Sequence, residues 1–224
     1  TGDPKGPGEE GELVITTLAV WRLGAAYLPL FTAFGPDAID YRLQDSGCAV
    51  IVTNAAHRPK LTDTSTYKQG KLSVITVPVQ RAKGIERGDY SFWHELEHAT
   101  PVVETTPVNG DDLLIMLFTS GTTGSPKGVQ VPIKALASFE AYMRFGLDVR
   151  EDDMYWNMAD PGWAYGLYYN LIGPLLIGKS TLFFNAAFSP AEFFRVMSKY
   201  RVTNFASAPT AYRALRAAGD KVAK

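Results

Sequence analysis

Short apolar runs alternate along the chain with segments that have the spacing of amphipathic helices. The apolar run at residues 49–53 follows a segment with helical spacing at 36–45, and another apolar run follows at 72–77. Parallel strands need long crossover connections, which are usually helices, so this alternation is typical of a parallel sheet. It predicts an α/β fold with mostly parallel sheets flanked by helices.

A second series of strands and helices starts after Asp111 with a fully apolar run at residues 113–118. Further strands are predicted at 26–30, 128–131, 154–158, 181–184 and 203–206. Helices are predicted at 36–45, 92–97, 133–145, 163–177, 190–200 and 209–217. The run 12–26 also has helical spacing, and Gly24 is expected to stop that helix. Residues 1–11 are rich in glycine, proline and acidic residues, and this composition predicts a flexible tail.

Charge and cysteine content exclude several classes of protein. The 224 residues carry a formal net charge of -1, which gives no support to a general nucleic-acid binder. The single cysteine, Cys48, excludes a cysteine-based zinc cluster and fits a reducing, cytoplasmic compartment. Cys48 itself is expected to be a small buried apolar residue. No stretch approaches the roughly 18 uninterrupted apolar residues of a membrane helix, so no membrane span is predicted.

The segment that follows the apolar run at 113–118 carries the most informative motif. Positions 118–128 pack five hydroxyl residues, three glycines and one lysine into eleven places. Gly121 and Gly124 allow sharp turns that bring backbone N–H groups close to a ligand, and Lys127 adds a cation. The hydroxyl residues are Thr119, Ser120, Thr122, Thr123 and Ser125. Many donors and one cation in a short loop suit the oxygens of a polyphosphate.

Other interpretations of this loop fit less well. A Walker A loop needs a second glycine where Pro126 stands and a Ser/Thr where Gly128 stands. The dinucleotide-binding pattern G-x-G-x-x-G does not occur in the loop. A plain Ser/Thr/Gly surface loop is the remaining alternative, but such loops do not usually end in Pro-Lys-Gly between two apolar strands.

Residues 119–128 resemble the signature loop of the adenylate-forming superfamily, which includes acyl-CoA synthetases, luciferase-like enzymes and peptide-synthetase adenylation domains. Stretches at 18–30, 160–166 and 207–212 are similar to that family in the same order. The stretch at 160–166, Asp-Pro-Gly-Trp-Ala-Tyr-Gly, looks most like acetyl- and medium-chain acyl-CoA synthetases. The resemblance implies that residues 12–224 form part of the large N-terminal domain of an acyl-CoA synthetase-like fold.

The resemblance also implies a ligase that activates a carboxylic acid with ATP. In that family the carboxylate attacks the α-phosphorus of ATP to give an acyl-adenylate and pyrophosphate, and the thiol of CoA then displaces AMP. The implied cofactors are ATP and magnesium, CoA is the co-substrate, and a small carboxylic acid is the substrate. No nucleic-acid partner is expected, and a homo-oligomer is left open.

The residues that the resemblance assigns to the nucleotide lie in the signature loop. The β- and γ-phosphates of ATP would be held by Thr119, Ser120, Gly121, Thr122, Thr123, Gly124, Ser125 and Lys127. Lys127 is also the expected catalytic residue, because its cation offsets charge that builds on the leaving pyrophosphate.

The residues that the resemblance assigns to the acyl group are Trp163, Ala164, Tyr165 and Gly166. Aromatic residues at 163, 165, 168 and 169 are suited to line an apolar cavity. A plain aromatic core helix is the alternative. Glycine inside a helix costs up to about 1 kcal/mol relative to alanine, and Gly166 therefore favours the cavity.

Later motifs of the family have no counterpart in these 224 residues. They include the segment that stacks on adenine and supplies the magnesium carboxylate, the ribose-binding aspartate, the hinge and the lysine of the C-terminal domain. No metal ligand is therefore assigned, and the sequence is expected to be a fragment that cannot complete turnover alone. A non-catalytic nucleotide-binding remnant and an adenylation domain with another acceptor stay open as alternatives.

Three further features have simple interpretations. Residues 94–98 match the H-E-x-x-H frame of zinc proteases, but the predicted helix is short and a third ligand is missing. Asp111 and Asp112 are expected in a solvated turn. Arg144 and Arg150 are candidates for a CoA phosphate, although surface solvation is the preferred interpretation.

Overall fold

The computed structural model describes residues 9–78, 84–119, 126–184 and 188–219. The chain divides into two compact units, Thr1–Ile133 and Lys134–Lys224, which are described separately. The first unit contains α1 (Glu9–Arg22), α2 (Pro36–Ser46), β1 (Val50–Asn54), a 3-10 turn (Arg58–Leu61), α3 (Ser65–Lys68), β2 (Ser73–Val77), β3 (Tyr90–Ser91), α4 (Phe92–His98), β4 (Leu113–Thr119) and β5 (Lys127–Pro132).

The second unit begins with α5 (Ala135–Ala141), which continues into a π-helical turn (Tyr142–Gly146). Its remaining elements are β6 (Tyr155–Asn157), α6 (Ala164–Gly166), a second π-helical turn (Leu167–Ile172), α7 (Gly173–Leu176), α8 (Pro190–Tyr200), β7 (Asn204–Ala206) and α9 (Pro209–Ala218). The predicted α/β alternation is confirmed in both units. None of the helices in the described ranges combines the length and the apolar character needed to cross a bilayer.

A three-stranded parallel sheet in the order β1–β2–β3 organises the first unit. Val50 pairs with Ser73, and Thr76 pairs with Ser91. Helix α2 covers this sheet with Ile39 and Leu43, which share a buried apolar cluster with residues of β1 and β2. The predicted limits of α2 are nearly correct, because proline fits its first turn and glycine in the left-handed region ends it.

Strand β3 lies in a part of the chain for which the sequence predicts no strand. Asp89, which directly precedes β3, accepts two hydrogen bonds from Arg58, at 2.6 Å from Nε and 2.9 Å from Nη2. Thr76 of β2 donates to the same carboxylate at 2.7 Å. Both side chains of the ion pair are almost fully buried. This long-range network holds the two-residue strand against β2, and no local pattern in the sequence signals it.

The strands predicted at 113–118 and 128–131 form an antiparallel hairpin, β4–β5. Such a hairpin is an exception to the otherwise parallel pairing of the described strands. The strand predicted at 26–30 is reduced to one isolated bridge, in which Tyr27 pairs in parallel with Ile115 of β4. Pro29 explains this result, because a residue without a backbone N–H cannot extend the ladder.

The second unit is built on the parallel pair β6–β7, in which Trp156 pairs with Phe205. Helix α8 is the last helix before β7 and packs Phe193 and Val196 against Trp156. The α8 start is as predicted, since the hydroxyl of Ser189 accepts a hydrogen bond from the backbone N–H of Glu192.

Two further predictions about local structure are wrong. Residues 181–184 form no strand, because Leu182 and Phe184 pack against the Trp156 cluster and no described strand lies alongside to pair with them. Helix α1 begins at Glu9, so residues 9–11 of the predicted tail are helical; glutamates favour the first turn of a helix because they complement its dipole. That helix ends at Arg22, and Gly24, which was expected to stop it, follows in the left-handed region, so this prediction is confirmed. The rest of the predicted tail, 1–8, lies outside the described residues.

Candidate functional site

The loop end of the β4–β5 hairpin, where the two strands are joined, carries the two ends of the predicted phosphate loop. Thr119 is the last residue of β4 and pairs directly with Lys127, the first residue of β5. Both side chains are exposed. The predicted ligands between them lie outside the described residues: Ser120, Gly121, Thr122, Thr123, Gly124 and Ser125.

Helix α2 contacts both strands of the hairpin next to the loop. The hydroxyl of Tyr41 donates a hydrogen bond of 2.9 Å to the carbonyl of Pro126. The ring of Tyr41 meets the ring of Phe118 edge to face, with centroids 6.1 Å apart. These contacts join the residue before Thr119 and the residue before Lys127 to one helix.

Gly128 of β5 lies against Met116 of β4, and Asp45 of α2 is close to it. A Cβ atom at Gly128 would lie 2.4 Å from Cε of Met116 and 3.5 Å from Oδ2 of Asp45. Arg42 of the same helix is buried, with its guanidinium 4.1 Å from the centre of the Phe34 ring and 5.5 Å from that of Phe118. Burial lowers the pKa of Arg42 from its ordinary value, although the group stays cationic.

Lys127 is the cation of this hairpin end. Its ammonium group makes no ion pair and no hydrogen bond with any other residue in the described ranges. The ammonium group is therefore available to an external anion, and the hydroxyl of Thr119 across the strand pair adds a donor. The hairpin end is therefore suited to bind an anionic group.

The predicted acyl-binding residues follow β6 in the second unit. The turn that leads to them is tightly bonded: Oδ1 of Asp160 accepts from the N–H of Gly162 at 2.6 Å, and the N–H of Trp163 donates to the Asp160 carbonyl at 3.0 Å. Helix α6 then starts, with Trp163 as its capping residue. Trp163 is 47% exposed, and Tyr165 is half-buried.

Gly166 is buried because the preceding turn packs directly on it. A Cβ atom at this position would lie 2.1 Å from the carbonyl oxygen of Asp160 and 2.5 Å from that of Ala159. The need for glycine therefore comes from backbone packing. A role of Gly166 in binding substrate stays a prediction.

The tyrosine residues of this segment pack on one another and on Phe139 of α5. The ring of Tyr168 stacks on Phe139 at 4.3 Å, which corresponds to the aromatic-core alternative. Tyr165 contacts Tyr169 edge to face at 5.2 Å. Burial, with a contribution from neighbouring Tyr142, raises the pKa of Tyr165 to about 12, so its hydroxyl is a neutral donor at physiological pH. Trp163, Ala164 and Tyr165 stay candidates for the acyl group.

Two residues near these segments were missed by sequence reasoning. Tyr41 is 85 positions from Pro126, and nothing in an amphipathic helix pattern indicates which loop a tyrosine will contact. Asn157 ends β6 and is fully buried, and its Oδ1 accepts from the N–H of Ala159 at 2.9 Å. The signal for Asn157 was available, because an amide within the apolar run at 154–158 needs a structural partner.

The remaining candidates take the simpler interpretations. His94 and His98 stack on each other at 4.3 Å on the short helix α4, and the described parts of the chain contain no group of three or more His, Cys, Asp or Glu residues placed to hold a metal ion. Arg144 pairs with Glu140 at 2.9 Å, and Arg150 pairs with Asp148 at 2.6 Å, all on the surface.

Asp111 and Asp112 lie in an exposed turn, as predicted, and Asp112 accepts a hydrogen bond of 2.6 Å from the N–H of Asn109. Cys48 is half-buried rather than buried, because it lies at the margin of the α2 cluster. Its thiol contacts the carbonyl of Val50 at 3.2 Å, and burial raises the pKa of the thiol.

Comparison with known proteins agrees with the geometry. The family model described as AMP-binding enzyme matches residues 9–224. The acetyl-coenzyme A synthetase of Pyrobaculum aerophilum is 33% identical over 94% of this chain, which spans 34% of that protein. The acetyl-coenzyme A synthetase of Escherichia coli K12 is also 33% identical over 94% of the chain, which spans 35% of it.

A solved structure of an acyl-CoA synthetase has a similar fold. The acyl-CoA synthetase of Brucella canis superposes with a TM-score of 0.88 and 44% identity, over 94% of this chain and 38% of that one. This match confirms the predicted fold class. The chain thus spans about a third of the length of the curated relatives, and it belongs to the AMP-binding enzyme family.

Proposed function

We propose that this chain is part of an ATP-dependent ligase of the acyl-CoA synthetase type, which activates a small carboxylic acid as an acyl-adenylate and transfers the acyl group to CoA. The similarity to acetyl-coenzyme A synthetases and to an acyl-CoA synthetase supports this class. The observation that carries the proposal is the pairing of Thr119 with Lys127 at the hairpin end, where the lysine is engaged by no carboxylate of the described chain.

The first step explains why a cation is needed at this position. A carboxylate oxygen attacks the α-phosphorus of ATP, and the bond to the bridging oxygen of pyrophosphate breaks. Negative charge builds on the leaving pyrophosphate. The ammonium of Lys127 and the hydroxyl of Thr119 offset that charge, and the loop residues Ser120 to Ser125 supply further donors.

The second unit is proposed to hold the acid. Trp163, Ala164 and Tyr165 contact the acyl group, and Gly166 admits the Asp160 carbonyl that fixes the start of their helix. Magnesium would accompany the triphosphate, with its carboxylate ligand outside these 224 residues. CoA is the second substrate, the compartment is the cytoplasm, and a homo-oligomer is compatible with the proposal.

Isothermal titration calorimetry with Mg-ATP tests the nucleotide site. The wild type is compared with Lys127→Ala and with the matched control Lys71→Ala, which removes another exposed lysine of the first unit. Loss of a charge-assisted hydrogen bond is expected to weaken binding about tenfold or more for Lys127→Ala and to leave the control unchanged. Equal affinities of the wild type and Lys127→Ala would remove the lysine from the site.

A second candidate function is nucleotide binding without catalysis. The observation that favours it is the coverage of only 34% of a related synthetase. ATP–pyrophosphate exchange with acetate, octanoate and benzoate, measured on the full-length protein that contains this sequence, separates the two candidates. Exchange that depends on one of these acids supports the ligase, whereas Mg-ATP binding without exchange supports the binding role.

A further inference from the structure

We infer that Tyr41 is a positioning residue for Lys127, and this inference rests on the proposed function of the hairpin end. The hydroxyl of Tyr41 donates 2.9 Å to the carbonyl of Pro126, which directly precedes Lys127. Proline has no backbone N–H, so its carbonyl is the one backbone group through which this residue can be hydrogen-bonded. Tyr41 occupies that group.

The ring of Tyr41 contacts β4 just before the loop. Phe118 is 6% exposed, pairs with Gly128 and directly precedes Thr119. Its ring meets the Tyr41 ring with centroids 6.1 Å apart at 78°. One side chain of α2 therefore contacts the strand before the loop through its ring and the strand after it through its hydroxyl.

The helix that presents Tyr41 is itself fixed to the hairpin. Its neighbour Arg42 is buried, donates to the carbonyl of Ala38 at 2.6 Å and lies over the rings of Phe34 and Phe118. Asp45, one turn further on, approaches Gly128 closely. The position of the Tyr41 hydroxyl is thus set by the core of the first unit.

The functional consequence concerns the backbone of Lys127. A lysine side chain loses considerable rotamer entropy when its ammonium group is held at one point. A fixed backbone at Pro126 limits the positions that Lys127 can take, and less freedom is lost when the ammonium meets a phosphate. The effect is specific to ligands that reach Lys127, namely those with β- and γ-phosphates.

The test uses Tyr41→Phe, which removes the hydroxyl and keeps the ring. Tyr90→Phe is the matched control, since the hydroxyl of Tyr90 is exposed and makes no hydrogen bond within the described part of the chain. We expect Mg-ATP to bind about three- to tenfold more weakly to Tyr41→Phe, which corresponds to one net hydrogen bond, and to bind unchanged to Tyr90→Phe. In the double variant Tyr41→Phe/Lys127→Ala, the tyrosine change should add nothing to the loss from Lys127→Ala.

The outcomes separate this inference from the proposed function. Unchanged Mg-ATP affinity of Tyr41→Phe, with a clear loss for Lys127→Ala, refutes the positioning role and leaves the proposed function standing. Wild-type affinity of Lys127→Ala, or no binding by the wild type, refutes both. Equal losses of Mg-ATP affinity from Tyr41→Phe in the wild type and in the Lys127→Ala variant indicate a general structural effect and also overturn the inference.

Discussion

The substitution Gly166→Ala tests whether packing or helix propensity controls the start of helix α6. Propensity alone predicts a gain, because alanine inside a helix is favoured over glycine by about 1 kcal/mol. The structure predicts a loss. The added methyl carbon would lie 2.1 Å from the carbonyl oxygen of Asp160, whereas carbon–oxygen contacts are normally about 3.3 Å or longer.

The magnitude follows from what the methyl group would have to displace. The obstacle is backbone, and the turn is held by the bonds of Asp160 to Gly162 and Trp163 and by the bond of Asn157 to Ala159. Relief of the overlap requires a shift of about 1 Å in this turn, and overpacking of a well-packed site costs about 1–3 kcal/mol. With a cost near the upper end and the propensity gain subtracted, we expect a net destabilisation of about 2 kcal/mol.

Urea denaturation followed by tryptophan fluorescence and circular dichroism measures this change. The matched control is Gly128→Ala, whose methyl carbon would lie 2.4 Å from Cε of Met116, the flexible end of a side chain. Met116 can change rotamer, so the control is expected to stay within about 0.5 kcal/mol of the wild type. A Gly166→Ala protein as stable as the wild type, or more stable, would refute the packing argument.

Two further predictions concern charged groups in the first unit. Arg58→Met leaves the buried carboxylate of Asp89 without its cation, and we expect it to destabilise the protein by about 3–5 kcal/mol in urea denaturation. The double variant Arg58→Met/Asp89→Leu should recover much of that loss. Equal losses of stability in the two variants would contradict the ion-pair account. Burial alone would raise the pKa of Asp40, but hydrogen bonds from Ser65 and Thr66 outweigh it and hold the pKa well below its usual value. This lowered pKa stabilises the fold above the unfolded value near 4, and the contribution is lost as the pH falls through the folded pKa. The cost of Asp40→Asn should therefore be about 1–2 kcal/mol at neutral pH and shrink from about pH 5 to about pH 2, and a constant cost would contradict it.

Local patterns were sufficient for elements that local physics controls. Helix α8 could be predicted to its first residue because Ser189 and Pro190 satisfy the requirements of a helix start without help from elsewhere. The strand at 113–118 could be predicted because a fully apolar run of six residues, followed by a turn-rich segment, is typical of a buried strand. Because the glycine- and hydroxyl-rich motif directly follows this apolar run, the motif could be placed at the end of the strand, where Thr119 and Lys127 in fact lie.

The rest depended on contacts between distant parts of the chain. Strand β3 exists because Asp89 meets Arg58, 31 positions away. The strand prediction at 181–184 is wrong because the apolar side chains of this segment pack into the Trp156 cluster and its backbone pairs with no described strand. In the candidate site, the hydrogen bond of Tyr41 to Pro126 could not be predicted, since the 3.6-residue period of a helix indicates a face but not what that face meets.

The hairpin also explains how a loop of flexible composition can present a lysine at a defined place. A shift of one residue in the pairing of β4 would exchange Phe118 for Thr119 at the position beneath Tyr41 and Arg42. Exposure of a buried phenylalanine costs about 2–3 kcal/mol, and a threonine in its place would leave the Arg42 guanidinium without the Phe118 ring. The apolar core therefore selects a single register, and that register pairs Thr119 with Lys127 whatever the residues between them do. It follows that substitutions within the loop should change how tightly a phosphate is held, whereas substitutions of Phe118 should change where Lys127 stands.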